Sequence, residues 1–485
     1  MTEWMPLYKE LEQYGNSDYY PYHMPGHKRR QLGDVPERIL KTDITEIDGF
    51  DNLHQAEGIL REAQDSANML YGAEETFYLV NGSTAGILSA ISAALPESGH
   101  LLITRGCHKS VYHAAYLRKL KLSYLYLKNV KGFGFSEAVT AEQVQEALRR
   151  ESDIEAVLIV SPTYEGRIAD VKKIAEIVHE KGIPLIVDEA HGAHLGFAEG
   201  FAPGACMAGA DIVIHSVHKT LPAMTQTALL HVNGTRVDRD RLKRFLRIYQ
   251  TSSPSYVLMA SISDAMEFLK RDGKRYFADF RDRYLRMLDR LGVCKVLQVV
   301  AAEDISGGRQ DIGKLVIGAG NRRDISGQWL YDQLRERYHL QCEMAAGRYC
   351  LAMFTVADSS EAYERMEQAL LCIDEELSAE SGAENVGSGD HLMSGIPDKI
   401  TLPEVRYPFS AAWDLPWKRE RLGDAVGCAV GEFVNLYPPG VPILVPGEVL
   451  TQEIYEQILE YLTQKLNLQG LIQEEGEYYI RILRQ

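Results

Sequence analysis

The stretch Asp211-Ile-Val-Ile-His-Ser-Val-His-Lys-Thr220 decides the fold. Its β-branched run, residues 212–214, predicts a buried strand. That strand runs directly into a polar cluster that contains Ser216, His218 and Lys219. A buried strand followed at once by polar side chains is typical of the carboxyl edge of an open α/β sheet, where such sheets bind their ligands.

A second predicted strand, residues 183–187, ends in Asp188-Glu-Ala-His191. The two strand ends would therefore bring an acid, an imidazole and the amine of Lys219 to one edge. A lysine there can form a Schiff base with an aldehyde cofactor, and an aspartate can keep a pyridinium nitrogen protonated. A lone lysine after a strand would usually be an ordinary surface residue, but the neighbouring acid and imidazole favour a site.

Outward from these strands, apolar patterns alternate between strand and helix from about residue 76 to residue 231. This alternation predicts an α/β fold with a mostly parallel sheet that is covered by helices on both faces. The strands are predicted at residues 76–80, 101–104, 156–160, 183–187, 212–214 and 228–232. The helices are predicted at residues 53–71, 85–94 and 171–181.

The length of 485 residues predicts two or three domains. Residues 238–292 are charged and helical, and the pattern then changes to shorter strands, at 295–300, 314–317 and 349–355, with helices at 328–337 and 360–377. The predicted division is an N-terminal arm at 1–50, a large domain at 51–293, a small α+β domain at 294–377, a Ser/Gly-rich linker at 378–396 and a C-terminal α+β domain at 397–485. The last domain contains a proline-rigid loop, 437–448, and a helix at about 453–466.

The composition excludes several classes of function. A net charge of −16 argues against general nucleic-acid binding, which needs a basic surface. No apolar run approaches the ~20 residues that span a membrane, and the N-terminus has no signal-peptide pattern. The seven cysteines are scattered without a CxxC pair, so they are interpreted as reduced thiols of a cytoplasmic protein that has no metal site.

Three local patterns allow two interpretations each. Residues 21–28 are either a solvated arm or a segment that lies over an active site. Ser83 and Thr84, at a predicted helix start, either bind an anion or simply cap the helix. His108, just past a strand end, either stacks on a planar cofactor or is an ordinary loop residue.

Several motifs together resemble the Orn/Lys/Arg decarboxylase family, the bacterial group with an aspartate-aminotransferase-like (type I) pyridoxal-phosphate fold. The matching motifs span residues 21–448, which is nearly the whole chain. They are PYHMPGHK (21–28), DNLHQAEG (51–58), FYLVNGSTAGI (77–87), RGCHKSVYHA (105–114), SPTYEGRIADV (161–171), LIVDEAHGAH (185–194), SVHKTLPAMTQ (216–226) and YPPGVPILVPGE (437–448).

The resemblance implies catalytic roles for Lys219, Asp188 and His218. Lys219 would carry pyridoxal 5'-phosphate, Asp188 would pair with the pyridine nitrogen, and His218 would touch the phosphate or transfer a proton. The implied cofactor-binding residues are Ser83, Thr84, His108, Asp188, His191, Ser216, His218, Lys219, Thr251 and Ser252. Among them, His108 would stack on the ring, and Ser83, Thr84 and Ser216 would hold the phosphate.

The resemblance also implies the partners. The substrate would be lysine, arginine or ornithine, its distal cation would meet Glu343, and the product would be a di- or polyamine. The protein would be a homodimer or a higher homo-oligomer, with Thr251 and Ser252 reaching the neighbouring subunit's phosphate. The chain resembles the short branch that lacks the N-terminal wing domain, so assemblies built through that domain are not expected.

Two other functions remain open at this stage. The same scaffold serves aminotransferases and β-eliminating lyases, in which Arg348 or Arg322 would bind the α-carboxylate. A cofactor-binding paralogue without catalytic activity is the other possibility, although it need not keep both Asp188 and Lys219. The segment Thr220-Leu-Pro-Ala-Met224 departs from the glycine-rich form of some arginine decarboxylases, which leaves the choice between arginine and lysine open.

Overall fold

The computed structural model describes residues 6–130, 133–300, 309–320, 322, 324–381, 403–436, 441–463 and 466–484. The helices within these ranges are α1 Leu7–Gly15, α2 Glu37–Thr42, α3 Ile59–Tyr71, α4 Gly82–Ala94, α5 Lys109–Leu117, α6 Ala141–Arg150, α7 Val171–Glu180, α8 Val217–Thr220, α9 Arg239–Tyr249, α10 Tyr256–Phe268, α11 Lys274–Leu291, α12 Gly327–Tyr338, α13 Ser360–Ser381, α14 Phe409–Ala412 and α15 Gln452–Thr463. A π-helical turn, Leu269–Gly273, joins α10 to α11.

The strands alternate with these helices through the first half of the chain. They are β1 Glu75–Leu79, β2 His100–Thr104, β3 Lys121–Leu125, β4 Ala156–Val160, β5 Leu185–Asp188, β6 Ile212–Ser216, β7 Ala228–Val232, β8 Gln298–Val299, β9 Lys314–Gly318, β10 Met344–Ala346, β11 Tyr349–Met353, β12 Trp417–Arg421, β13 Val434–Leu436, β14 Val441–Leu444, β15 Leu468–Gln469, β16 Ile472–Glu474 and β17 Glu477–Leu483.

The chain divides into two compact units, each made of several segments. Unit 1 contains Met1–Pro96, Glu155–Ser161 and Asp170–Ala278. Its strands form a sheet in the order β1-β7-β6-β5-β4. The pairs β4–β5 and β5–β6 are parallel, whereas β7 runs antiparallel to both of its neighbours. This is the α/β sheet with mostly parallel strands that the sequence predicts.

Close packing of α4 on this sheet depends on a glycine. A Cβ atom at Gly86 would lie 2.7 Å from Cδ1 of Leu79 and 3.2 Å from Cγ2 of Ile214. Real Cβ atoms essentially never make a contact as short as the one with Leu79, so a side chain at Gly86 would force the buried Leu79 to shift and would crowd Ile214. Gly86 thus lets the first turn of α4 lie near the carboxyl end of β6.

Unit 2 contains Glu97–Ile154, Pro162–Ala169 and Asp279–Gln485. It has a parallel pair, β2–β3, and a small antiparallel sheet in the order β10-β11-β9-β8. Toward the C-terminus it has two further small sheets, β12-β17-β16 and β14-β13-β15. Val430, Leu444, Ile458 and Ile480 are fully buried in one apolar cluster beneath these last sheets.

The helix predicted at 53–71 begins later than the sequence pattern indicates. In the structure α3 begins at Ile59, after an irregular segment. The Asp51 carboxylate accepts hydrogen bonds from the backbone N–H groups of Glu57, at 3.0 Å, and Gly58, at 2.7 Å. Because these donors point to a side chain, residues 53–58 follow a loop that leads into the helix.

The strand predicted at 295–300 is also shorter in the structure. Only β8, Gln298–Val299, pairs with a neighbouring strand. The backbone N–H groups of Lys295, Val296 and Leu297 instead donate to the buried carboxylate of Asp374, at 2.9, 2.8 and 2.7 Å. The Asp374 side chain, 79 residues from Lys295 in sequence, therefore accepts the hydrogen bonds that a neighbouring strand would otherwise accept.

The predicted linker, 378–396, is wrong at its start, because residues 378–381 form the last turn of α13. Residues 382–396 lie outside the described residues, as do residues 437–440 of the predicted loop. Residues 441–444 of that loop form β14.

The N-terminal arm contains α1, whose Leu7 and Leu11 are fully buried, and this helix is absent from the prediction. The five-part domain division stays a prediction.

Within the described ranges, no helix is long and apolar enough to cross a membrane. The seven cysteines all lie in the described ranges, and none of them forms a disulfide bond there. Four of them, Cys107, Cys206, Cys342 and Cys350, are buried.

Candidate active site

Two parallel strands of unit 1 bring Asp188 and Lys219 to one edge of the sheet. Strand β5 ends at Asp188, which is paired with Ile214 of β6. Strand β6 continues to Ser216, and the one-turn helix α8 then carries His218 and Lys219. Since parallel strands end at the same edge, the acid and the amine lie at the carboxyl edge of the sheet, as the sequence predicts.

Lys219 faces a histidine that follows the neighbouring strand. Its Nζ lies 3.0 Å from Nε2 of His191, within hydrogen-bond distance. His191 is buried and Lys219 is half-buried. A lysine amine held by an imidazole at a strand edge is positioned to react with an aldehyde while a base stands beside it.

Asp188 is a buried carboxylate with few partners. It is 5% exposed, and its Oδ1 accepts one backbone hydrogen bond, from Ala190 N–H at 3.2 Å. Burial raises the pKa of Asp188 above its ordinary value, and the charges of Lys219 and His215, with the Ala190 N–H, oppose that rise. A buried acid in this state is stabilised by a cationic N–H donor, and a protonated pyridine nitrogen is such a donor.

The start of α4 presents hydroxyl groups and backbone donors. Oγ of Ser216 lies 3.0 Å from Oγ of Ser83, so the structure brings these two predicted phosphate ligands together. Thr84 is exposed in the same first turn. The N-terminus of a helix with neighbouring hydroxyls suits an anion such as a phosphate.

The alternative interpretation of Ser83 and Thr84 as helix caps is wrong. The N-cap residue of α4 is Asn81, and its side chain makes no capping hydrogen bond. Its Oδ1 accepts instead from the backbone N–H of Thr251, at 3.2 Å. The donors at the start of α4 are therefore not capped by that side chain.

Thr251 and Ser252 form an exposed turn beside this helix start. The Thr251 carbonyl lies 2.8 Å from Nε2 of His54, and its N–H is held by Asn81 as described. These two contacts fix the backbone of the turn and leave both hydroxyl side chains at the surface.

His218 has a defined tautomer. Its Nδ1 lies 2.9 Å from the Thr227 carbonyl oxygen, which can only accept, so Nδ1 carries the hydrogen. Burial, together with the charge of Lys219, lowers the pKa of His218, while the Thr227 contact opposes this shift. His218 is therefore a neutral imidazole whose Nε2 can accept a hydrogen bond.

His108 and Glu343 belong to unit 2. His108 is exposed and is the N-cap of α5, where its Nδ1 accepts from Ser110 N–H at 3.2 Å. Glu343 is exposed and accepts a hydrogen bond from the hydroxyl of Tyr164. Their predicted roles as ring-stacking and substrate-binding residues stay predictions.

The two arginines considered for an aminotransferase have partners within unit 2. Arg322 forms an ion pair with Asp324 at 2.6 Å. Arg348 donates from Nη2 to the Gly320 carbonyl, at 2.5 Å.

A buried polar network behind the site is absent from the sequence prediction. His215 Nε2 lies 2.7 Å from Glu189 Oε2, and His215 Nδ1 lies 3.0 Å from Nε2 of His231. The signal that could have revealed it is a histidine inside each of two apolar strands, at His215 and His231. Buried histidines need hydrogen-bond partners. Glu189, which follows Asp188 in sequence, could have been proposed as one of these partners.

A family model described as "Orn/Lys/Arg decarboxylase, major domain" matches residues 5–310. The arginine decarboxylase of Bacillus subtilis is 30% identical over 490 residues, covering 99% of this chain and 98% of that protein. The lysine decarboxylase LdcA of Pseudomonas aeruginosa is 25% identical over 299 residues, which are 55% of this chain and 40% of that protein. Lysine decarboxylase A from the same organism has a solved structure that covers 99% of this chain and 80% of its own, with a TM-score of 0.82 at 20% identity.

Proposed function

The chain belongs to the Orn/Lys/Arg decarboxylase family and is a basic amino acid decarboxylase, and from this premise we propose that Lys219 carries pyridoxal 5'-phosphate as its cofactor. Members of the family and its fold neighbours are pyridoxal-phosphate enzymes. One observation carries the proposal: the buried, sparsely bonded carboxylate of Asp188 and the amine of Lys219 share one strand edge.

The residues present fit the cofactor. Asp188 would accept the hydrogen of the ring nitrogen, and Ser83, Ser216 and the first turn of α4 would hold the phosphate. The bound cofactor supplies an electron sink for the bond that breaks at the substrate's α-carbon. Its affinity for the protein would depend on both ends, the acid at the ring and the hydroxyls at the phosphate.

The residues around Lys219 would handle protons. His191, 3.0 Å from Nζ, can take a proton from the amine when the cofactor is loaded. Neutral His218, fixed by Thr227, can accept a hydrogen bond at Nε2 without adding positive charge beside Lys219. The chain thereby orients the reacting groups and sets the local charge, which is the protein's share of such catalysis.

We propose arginine as the first substrate to test. The Bacillus subtilis relative that matches the whole chain is named an arginine decarboxylase, whereas the lysine decarboxylase of Pseudomonas aeruginosa matches about half of it. Incubation with arginine, lysine and ornithine, followed by mass spectrometry of the amine products, separates the three. Formation of a keto acid without carbon dioxide would instead identify an aminotransferase.

Lys219→Ala tests the proposal directly. Borohydride reduction should attach the cofactor's mass to a Lys219 peptide in the wild type and to none in the variant, and carbon dioxide release should fall by several orders of magnitude. Lys243→Ala, which removes a lysine elsewhere in unit 1, is the matched control and should keep both. Near wild-type decarboxylation by Lys219→Ala would overturn the assignment.

We further propose that the active unit is a homodimer in which Thr251 and Ser252 reach the partner subunit's phosphate. Both side chains are exposed on a turn whose backbone is fixed by His54 and Asn81. Two inactive variants, Lys219→Ala and the double variant Thr251→Ala/Ser252→Ala, should regain activity when they are mixed and exchange subunits. Mixtures that exchange subunits and stay inactive would contradict this arrangement.

A further inference from the structure

Two glutamine side chains hold the end of strand β1 in unit 1. Val80 follows β1, and α4 begins two residues later, at Gly82. The Val80 N–H donates to Oε1 of Gln250 at 2.9 Å, and the Val80 carbonyl accepts from Nε2 of Gln226 at 2.5 Å. Both backbone groups of the residue that leads into the proposed phosphate site are therefore bonded to side chains from elsewhere in the sequence.

Gln226 belongs to the segment between β6 and β7, which also carries Lys219. The next residue, Thr227, closes this segment into a loop. Its carbonyl accepts from the backbone N–H at the start of α8, at 3.1 Å, and lies 2.9 Å from Nδ1 of His218. The contact between Gln226 and Val80 therefore joins the loop of Lys219 to the residues that lead into α4.

The backbone of Gln226 has an unfavourable conformation. Its φ of +85° lies in the left-handed region, which glycine adopts readily and residues with a Cβ atom rarely adopt. A Cβ atom at Gly82 would lie 3.9 Å from the carbonyl oxygen of Gln226, so the two backbones approach each other at the start of α4. A glutamine at a position whose conformation favours glycine indicates that the side chain itself has a function.

A second contact joins the same two segments, but it uses groups that the phosphate needs. Oγ of Ser216 lies 3.0 Å from Oγ of Ser83, and both hydroxyls are proposed phosphate ligands. A bound phosphate would compete for these hydroxyls. The amide of Gln226 is directed to the Val80 carbonyl instead, so its contact can hold the two segments together with and without the cofactor.

We propose that Gln226 is a positioning residue whose amide fixes the distance between the amine of Lys219 and the phosphate site at the start of α4. This inference rests on the proposed cofactor role of Lys219 and Ser83. Its physical basis is preorganisation. A ligand that is held at both ends binds more tightly when the two ends of its site are already fixed at the right separation, whereas a ligand that is held at one end gains nothing.

Pyridoxal and pyridoxal phosphate provide the test, because they share the ring and the aldehyde and differ in the phosphate. The apoprotein is titrated with each by absorbance, and the ratio of the two dissociation constants measures the contribution of the phosphate. In Gln226→Gly this ratio should fall by about five- to tenfold, as for the loss of one hydrogen bond, while the dissociation constant of pyridoxal stays near the wild-type value. An unchanged ratio would overturn the inference.

Gln226→Gly should remain folded. Glycine adopts a φ of +85° without strain, which offsets its greater freedom in the unfolded chain. A thermal unfolding curve of the apoprotein checks this expectation before the titrations.

Gln226→Met separates the amide from the backbone conformation. Methionine is about as long as glutamine and has no N–H donor, so the ratio should fall as it does in Gln226→Gly. Gln143→Met is the matched control, because Nε2 of Gln143 also donates to a backbone carbonyl, that of Tyr126 at 2.8 Å, but in unit 2. The control should keep the wild-type ratio; equal ratios in the two methionine variants would overturn the inference.

The same titrations separate this inference from the proposed function. A wild-type apoprotein that binds neither aldehyde would overturn both. A wild type that binds the two aldehydes equally well would remove the phosphate site and this inference, and would leave the role of Lys219 standing. A wild type that prefers pyridoxal phosphate, with Gln226 variants that keep the same preference, would overturn the inference alone.

Discussion

Asp188 in unit 1 and Glu448 in unit 2 are both buried carboxylates, yet they are held very differently. Glu448 is 2% exposed and accepts from Arg105 Nη1 at 2.6 Å, Arg105 Nη2 at 2.7 Å and Val445 N–H at 2.8 Å. Asp188 is 5% exposed and accepts one backbone hydrogen bond, at 3.2 Å. One acid is fully bonded by its own chain, whereas the other has room for a further donor.

This difference separates a charge that the chain itself neutralises from one that is available to a ligand. The contact with Arg105 is bidentate, which matches the geometry of a carboxylate. It occupies both oxygens of Glu448, so this carboxylate is not available to a ligand. A carboxylate held in this way is unsuitable for binding the distal cation of a substrate. Burial raises the pKa of Asp188 because it disfavours the charged form of the carboxylate, and a cationic ring would stabilise that form.

Among the tests of this comparison, the largest effect is expected for Asp188→Asn, which keeps the shape of the side chain and removes its charge. The rate of decarboxylation should fall by about a thousandfold, or ~4 kcal/mol of transition-state stabilisation, because the ring nitrogen loses its anionic partner. Steady-state kinetics on the cofactor-loaded variant measures it. Undiminished turnover would remove Asp188 from the mechanism.

Glu448→Gln should act on stability instead. It leaves the buried Arg105 guanidinium without an anion, which should lower the free energy of unfolding by about 3 kcal/mol in urea titration. Glu477→Gln, in the exposed pair with Arg421, is the control and should leave the unfolding midpoint unchanged. A Glu448→Gln variant as stable as the wild type would contradict the comparison.

Glu343→Gln should raise the KM for the basic amino acid and leave cofactor affinity intact, if Glu343 meets the substrate's distal cation. Loss of one charge-assisted contact predicts a fall in kcat/KM of about tenfold to a hundredfold. Glu336→Gln changes the net charge equally at an exposed acid that pairs with Arg335, and it should have no effect. An unchanged kcat/KM in Glu343→Gln would exclude the role.

The smallest expected effect is on how the free energy of unfolding depends on pH. The folded-state pKa of Asp188 is raised above its unfolded value, so the folded apoprotein binds this proton more tightly than the unfolded chain does. Asp188 should therefore add stability as the pH falls through its folded pKa, the reverse of a salt-bridged acid. Comparing the pH dependence of unfolding for wild type and Asp188→Asn should show this term in the wild type alone; parallel curves would contradict it.

Much of this arrangement could be predicted from the sequence, because it depends on local patterns. The apolar runs before Asp188 and Ser216 are short, β-branched and bounded by polar residues. This pattern is enough to predict both strands and the edge of the sheet at which both of them end. The positions of Lys219 and His191 at that edge follow in turn from the parallel direction of the strands.

The features of the structure that the sequence does not predict depend on contacts between residues far apart in sequence. Nothing near residue 295 indicates that Asp374 takes three backbone donors there and shortens the strand. The pairing of His215 with His231 likewise requires the order of the strands across the sheet. In each case a side chain satisfies groups that the local pattern assigns to something else.

The Arg105–Glu448 pair also limits how early unit 2 can finish folding while the chain is being synthesised. Its two members are 343 residues apart. At a translation rate of about 5–20 residues per second, Arg105 would leave the ribosome roughly 20–70 s before its partner does. Until then the guanidinium must stay hydrated, so unit 2 completes its core only when synthesis is nearly over. A nascent chain stalled within that interval would be a natural substrate for chaperones.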